Sequence, residues 1–384
     1  MRFKTKRAPN AELAMMSHRF RFVAAALVTF TVVALICSAP GNEATEPTWP
    51  TKEWQTSSPE EQGMDSKELT YLVDSGARRI LATPGTTLPC RFDSLLVVRH
   101  GKIVLEVYYA PYSPEILHRT NSVTKAVMAT LVAIASKDGL LDSPDHRVID
   151  FFDRNNIANV DCRKEAITVQ NLLDMTSALE WSEPLAEPRP RSMMEMDRSP
   201  NWVKFILDRP MSSAPGETFN YNSGNPHLIS AILTKLTGMS TLEYAKAKLF
   251  GPLGINDVYW WQDPQGIFTG GYGLWLRPRD MAKIGYLYLR NGVWEGKQLL
   301  APTWIDKVRH AKVDMVPTGL KYSNLFWVFP DKDAYMAVGF NGQVIMVFPG
   351  LDIVVVTTAR AYHPFGQFGP LCFQLGKIGY GAPS

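Results

Sequence analysis

Residues 122–138 read as a helix with almost no polar face. Val123, Ala126, Val127, Met128, Leu131, Val132, Ile134 and Ala135 cover nearly every direction around its axis. A helix of this kind has to be enclosed, so the fold needs packed layers on more than one side of it. Lys125 is its one charged side chain between Val123 and Ser136. A buried ammonium is costly unless it is paired or neutralised, so this lysine requires a physical reason for its position.

The two ends of the chain supply strands to pack around such a helix. Residues 94–98 and 103–109, joined by His100-Gly101-Lys102, read as an antiparallel hairpin. Residues 335–339, 343–348 and 352–359 are also β-patterned, with Pro349-Gly350 as a turn between the last two. Between these ends, 142–250 carries helical patterns at 169–175, 201–207, 226–236 and 242–250, separated by Pro-rich connections such as 183–190, and a further helix falls at 278–290. The expected architecture is α+β: one antiparallel sheet built from the N- and C-terminal portions, flanked by helices, with a helical insert. At 384 residues and 46% hydrophobic content the chain can fill one large catalytic unit.

Arg19 and Arg21 lead into an apolar run at 22–36 that ends in Cys37-Ser38-Ala39-Pro40. Residues 1–40 therefore read as a secretory signal peptide or an uncleaved N-terminal membrane anchor, with Cys37 as a candidate lipidation site and Met15 or Met16 as alternative starts. Residues 41–60, rich in Pro, Thr, Ser and Glu, read as a linker, and 61–384 as the domain, opening with an amphipathic helix over 63–82. The expected location is outside the cytoplasm, periplasmic or membrane-anchored. Six of the 40 Lys/Arg lie in residues 1–21 against Glu12, which leaves 34 basic and 36 acidic residues and no basic stripe. Nucleic acid is excluded as a partner on that ground. Beyond the leader, Cys90, Cys162 and Cys372 allow at most one bridge and no metal-ligand cluster, and the seven histidines are scattered, so no metal or cofactor is expected.

Ser122-Val123-Thr124-Lys125 is the one Ser-x-x-Lys in the chain. Residues three apart share a helix face, so Lys125 can lie beside the Ser122 hydroxyl, and desolvation favours the neutral amine that could take its proton. A helix beginning at Ser122 would add backbone N–H donors near a developing oxyanion. The competing reading is a lysine snorkelling from a helix end with Ser122 as N-cap. Tyr221 and Ser223 lie on the loop 219–225, after Ser213-Ala214-Pro215-Gly216 and before a helix at Pro226. Either they relay a proton and support Lys125, or they are a packed aromatic and a capping polar residue. Phe340-Asn341-Gly342-Gln343 connects two strands and by itself is a turn. Tyr259-Trp260-Trp261, Tyr272 and Trp275 fit pocket lining and core packing equally. Gly-x-Ser-x-Gly, His-Glu-x-x-His, Cys-x-x-Cys and phosphate-loop spacings are absent.

In this order the segments resemble the β-lactamase-related serine hydrolases, which include class C β-lactamases, D-Ala-D-Ala peptidases, esterases and 6-aminohexanoate-oligomer hydrolases. The similarity spans 61–365. It rests on Ser122–Lys125, Leu172-Leu173-Asp174-Met175-Thr176-Ser177, residues 215–225, Phe250-Gly251-Pro252-Leu253-Gly254-Ile255 and residues 273–281. The resemblance implies a β-lactamase/transpeptidase-like fold in which Ser122 is acylated, Lys125 and Tyr221 move its proton, Ser223, Asn341 and Gly342 contact substrate, and the backbone N–H groups of Ser122 and Gln343 hold the oxyanion. Two positions depart from that pattern. Tyr-Asn-Ser stands where class C β-lactamases have Tyr-x-Asn, and Phe340-Asn341-Gly342 stands where the family has Lys-Thr-Gly or His-x-Gly. Losing the cation that grips a substrate carboxylate points to a neutral, small-molecule or peptide-like ester or amide substrate. The alternatives are a β-lactamase or D-Ala-D-Ala carboxypeptidase, and a non-catalytic peptidoglycan- or lipid-binding protein.

Overall fold

The computed structural model describes residues 49–70, 73–74, 91–185, 187, 189–315 and 319–360. The leader 1–40, Cys37, Cys90, Cys372 and most of the helix read over 63–82 lie outside these residues. The described strands are β1 (Gln55–Thr56), β2 (Arg91–Arg99), β3 (Lys102–Tyr108), β4 (His118–Arg119), β5 (Tyr259–Trp260), β6 (Leu274–Leu276) and β7 (Val293–Trp294). They continue as β8 (Lys297–Gln298), β9 (Val313–Met315), β10 (Leu320–Ser323), β11 (Phe326–Phe329), β12 (Ala334–Gly339), β13 (Gln343–Phe348) and β14 (Ile353–Arg360).

Nine of them form one sheet in the order β1-β3-β2-β14-β13-β12-β11-β10-β9. The β2–β3 hairpin joins the C-terminal strands through β2–β14, where Val98 lies opposite Val354. All neighbours run antiparallel except β1 and β3, so the sheet assembled from the two chain ends is present as expected. Val, Ile and Thr dominate β14, and every residue from Ile353 to Ala359 is buried, which marks a strand covered on both faces.

The helices that position the site are α1 (Thr124–Lys137), α2 (Val169–Leu173), α3 (Arg191–Arg198), α4 (Trp202–Leu207), α5 (Gly224–Thr237), α6 (Pro278–Leu289) and α7 (Pro302–Arg309). Thr124 through Ala135 of α1 are all buried, as an apolar circumference requires, and α1 packs on α5. Each Val, Leu, Ile or Met enclosed there contributes roughly 1.5–3 kcal/mol. α6 lies against β13 and β14, with Gly285 facing Val354 and Ile345 at a separation that leaves no room for a side chain. No helix of the described residues is long and apolar enough to cross a membrane.

Two features depart from the sequence reading. Residues 49–60, read as the end of a linker, are packed into the domain: Trp54 is buried, its Nε1 donates to Arg279 O at 3.1 Å, and β1 runs beside β3. The Pro, Thr, Ser and Glu content of that stretch obscured the weight of Trp49 and Trp54. Strands β9–β11 extend the sheet where no strand was expected. All four residues of β11 are buried, so the alternation that marks a half-exposed strand is missing there.

Candidate active site

Ser122 sits on a single 3₁₀ turn, Asn121–Val123, immediately before α1. The helix proper thus begins two residues later than the sequence suggested. Asn121 has a left-handed backbone (φ 49°), and its Nδ2 donates to Phe340 O at 2.7 Å, which ties the serine turn to the β12–β13 connection. Thr120 Oγ1 donates to Leu274 O at 2.8 Å, and Thr124 Oγ1 to Asn121 O at 2.7 Å. The turn is therefore fixed from three sides. Its serine bonds Lys125 instead of capping the helix.

Lys125 is 1% exposed, so the snorkelling alternative is excluded. Its Nζ lies 2.9 Å from Ser122 Oγ, 2.9 Å from Ser223 Oγ and 2.8 Å from Gly271 O. Burial pushes its ammonium down to about 8, against a smaller upward pull from the Glu183 carboxylate. The three contacts match the valence of a neutral amine. Two N–H groups go to Gly271 O and Ser223 Oγ, and the lone pair remains for the Ser122 hydroxyl proton. Ser223 can accept because its own hydroxyl donates to Glu183 Oε1 at 2.6 Å.

Tyr221 is also buried, with Lys125 Nζ 4.7 Å from its ring centre, and it lines the cleft together with Ser122. Burial and the Glu183 charge both push the phenol far above its usual range, which keeps its proton on Tyr221. Ser223 is the residue before α5, yet its side chain caps nothing. Asn222 Oδ1 takes the N–H groups of Gly224 and Asn225 at 2.7 and 3.3 Å, which leaves the Ser223 hydroxyl for Lys125 and Glu183.

Glu183 is a functional residue the sequence reading missed. Its carboxylate accepts from Ser223 N (2.7 Å), Ser223 Oγ (2.6 Å) and Trp181 Nε1 (2.7 Å), so Glu183–Ser223–Lys125–Ser122 forms one hydrogen-bonded chain. It lies at the start of a Pro-rich connection, where no local pattern marks it. Gly271 was missed for the same reason. A Cβ there would stand 2.7 Å from Ser223 O, so only glycine lets its carbonyl reach the lysine.

The third segment is arranged differently from the expectation. The glycine that closes on the nucleophile is Gly339: a Cβ there would collide with Thr120 O and stand 3.1 Å from Ser122 N. Phe340, Asn341 and Gln343 line the same cleft, but Gly342 does not. Gly342 N donates back to Gly339 O at 3.2 Å and its carbonyl takes Thr357 Oγ1, so both of its backbone polar groups are used within the fold. Gln343 Nε2 braces Ala359 O at 2.6 Å, while the Gln343 Oε1 and Asn341 Oδ1 atoms are buried with no protein donor.

Ser122, Tyr221, Glu183 and this turn open onto a cleft of about 680 Å³. Its walls also include His118, Arg119, Tyr272, Trp275, Trp327 and Arg360. Among the described residues no three His, Cys, Asp or Glu side chains are grouped as a metal-binding set.

The sequence profile described as Beta-lactamase matches residues 82–369, three quarters of the chain. The chain belongs to the beta-lactamase family. Among its relatives in that family is the 6-aminohexanoate-dimer hydrolase of Paenarthrobacter ureafaciens, 24% identical over 287 residues that cover 69% of this chain and 71% of that protein. The solved structure of EstCE1, a hydrolase with promiscuous acyltransferase activity, superposes with a TM-score of 0.66 at 17% identity, covering 82% of this chain and 100% of EstCE1. The octameric penicillin-binding protein homologue from Pyrococcus abyssi gives 0.63 at 21% identity, covering 82% and 77%. These likenesses establish the β-lactamase/transpeptidase-like fold.

Proposed function

We propose that the chain is a serine hydrolase that cleaves an ester or amide bond through an acyl-enzyme on Ser122. The observation that carries this reading is the buried Lys125 amine, 2.9 Å from Ser122 Oγ and with its remaining contacts assigned to Ser223 and Gly271. Such an amine takes the hydroxyl proton as Ser122 Oγ forms its bond to the substrate carbonyl carbon. The carbonyl oxygen then carries the charge, held by Ser122 N–H and a second backbone N–H from the turn after Gly339. As the bond to the leaving oxygen or nitrogen breaks, that atom takes the Tyr221 proton, and Tyr221 is recharged from Lys125. Water attacks the acyl-serine with the proton traffic reversed, releasing the acid and restoring the serine.

Similarity to a 6-aminohexanoate-dimer hydrolase supports an amide among the substrates, and similarity to EstCE1 supports an ester. A β-lactamase or carboxypeptidase is less well supported. Residues 337–343 (Ala-Val-Gly-Phe-Asn-Gly-Gln) hold no cation beside the nucleophile. A purely binding role leaves the Ser122–Lys125 contact without a purpose. The leader pattern in residues 1–40 supports export, with the domain outside the cytoplasm.

The test is intact-mass analysis after fluorophosphonate treatment, run beside turnover of p-nitrophenyl esters, nitrocefin and 6-aminohexanoate dimer. One adduct on wild type, none on Ser122→Ala, and hydrolysis of an ester or linear amide are expected. A folded protein that shows neither labelling nor turnover is a binding protein and not a hydrolase.

A further inference from the structure

Two contacts set how far the serine turn stands from the β12–β13 connection, and they act in opposite directions. One is a stop. Gly339 packs so closely on the turn that a Cβ there would stand 2.3 Å from Thr120 O and 3.1 Å from Ser122 N, so the end of β12 cannot come nearer. The other is a pull. Asn121 Nδ2 donates to Phe340 O at 2.7 Å, across 219 positions of chain, so the connection cannot move away without giving up a partly buried hydrogen bond. In the hydrolase reading the oxyanion forms between these two segments, with Ser122 N–H on one and a backbone N–H of the other facing it.

Each segment is also braced on its own side. Thr120 Oγ1 bonds Leu274 O and Thr124 Oγ1 bonds Asn121 O, which fixes the serine turn to β6 and to α1. Gly342 N–H bonds Gly339 O, and Thr357 Oγ1 and Gln343 Nε2 tie the connection to β14. The Asn121 amide joins these two braced bodies directly. Its backbone is left-handed, at φ 49°, a conformation that glycine adopts without strain and asparagine at little cost. Glycine would give the same turn without the tie, so the side chain at this position adds the bond and not the bend.

We propose that Asn121 is a positioning residue: its amide, working against the Gly339 contact, holds the backbone N–H groups on either side of the nucleophile at the separation the tetrahedral oxyanion needs. The role rests on the hydrolase reading. It acts through the Phe340 peptide, and it belongs to the transition state, because donors that must first be moved into place stabilise a developing charge less than donors already held there. Acylation and deacylation both pass through such an oxyanion, so both steps slow together when the tie is lost. The rate at saturation then falls while KM stays near its original value.

The test compares the full wild-type chain with Asn121→Gly, which keeps the left-handed turn and deletes the amide, and Asn121→Asp, which keeps the outline and replaces the donor with a carboxylate oxygen. Thermal melts confirm that both are folded at the assay temperature. On a p-nitrophenyl ester, kcat is expected to fall about tenfold in Asn121→Gly and about a hundredfold in Asn121→Asp, with KM changed less than about threefold. Phenylboronic acid, which forms a tetrahedral adduct on the serine, should lose affinity by the same factor as kcat/KM. The pH midpoint of fluorophosphonate labelling should not move, since Lys125 is untouched. A residue that only stabilised the fold would lower the melting temperature and leave kcat and boronate affinity of the folded enzyme alone. Asn121→Gly with kcat within about twofold of wild type, a loss carried by KM, an unchanged boronate affinity or a displaced labelling midpoint overturns the proposal. Labelling and turnover in wild type with both variants unaffected removes this role alone, whereas a wild type that neither labels nor turns over removes the hydrolase reading and this role with it.

Discussion

Lys125 and Lys283 are buried to nearly the same degree, 1% and 5% exposed, and burial pushes both ammonium groups down from their usual range. They differ in their partners. Lys283 Nζ is bound by the carbonyls of Gly254 (3.0 Å) and Thr51 (3.4 Å), with Asp280 Oδ1 3.5 Å away. Carbonyls and a carboxylate only accept, so this lysine gains most by keeping all its protons, and it ties the backbone at Thr51 and Gly254 to α6. Lys164, bound at 2.7 Å to the carbonyls of Ala158 and Leu207, follows the same pattern. Lys125 instead meets one carbonyl and two hydroxyls, with no carboxylate in contact. Burial alone does not make a base of a lysine; the difference lies in a partner that can give a proton back.

The largest expected effect separates the two lysines by rate. Ser122→Ala and Lys125→Met should each lower kcat/KM for a p-nitrophenyl ester by at least about 10³-fold, whereas Lys283→Met should change it less than about threefold. A Lys125→Met enzyme retaining more than about a tenth of the activity would break the comparison. Next comes stability, by urea denaturation, where the signs should be opposite. Lys283→Met leaves Asp280 buried and unpaired and should cost about 3 kcal/mol.

Lys125→Met should stabilise by about 1–2 kcal/mol at pH 7, because a charge penalty near 3 kcal/mol disappears while Gly271 O and Ser223 Oγ lose a donor. The folded value is about 8 against 10.5 unfolded, so the lysine penalty is complete below pH 8. It fades as the pH rises and is gone above 10.5, and the gain from Met should fade with it. A gain that persists unchanged to high pH would mean packing, not charge, is its source.

Removing the Ser223 hydroxyl tests the lysine's second partner. Ser223→Ala should lower kcat/KM by about tenfold to a hundredfold, the range for losing one charge-assisted hydrogen bond. The smallest effect is a shift in a profile. Glu183 raises the Lys125 value, so Glu183→Gln should move the alkaline rise of kcat/KM to lower pH, where a merely structural role would lower the rate without moving the midpoint.

The sheet formed by the chain ends was readable because β2, β3, β13 and β14 have turns and β-branched runs of their own, and α1 because a helix without a polar face can only be interior. Ser122 and Lys125 were readable as a pair from a three-residue spacing on a buried helix, whereas Tyr221 and Ser223 fitted packing and capping as well and were singled out through the family resemblance. Glu183 and Gly271 were not, since each becomes functional only through a fold that brings residues about 40 and 146 positions away to Ser223 and Lys125. The third segment was placed on the cleft through Phe340, Asn341 and Gln343, and what the reading lacked was the part played by Gly339. Gly339 and Gly342 look alike in sequence, and only the close approach of Ser122 distinguishes them. The β9–β11 extension was hidden because β9 and β10 are only three and four residues long and the uniformly buried β11 lacks the alternation that identifies a strand.

The central claim is that Ser122 is activated by the neutral amine of Lys125. The most direct measurement is the pH dependence of fluorophosphonate labelling of wild-type protein, followed by intact mass. A labelling rate that climbs with pH and levels off around a midpoint of about 8 is the expected result. A rate that is flat from about pH 6 to 10, or labelling that survives in Ser122→Ala, would contradict it.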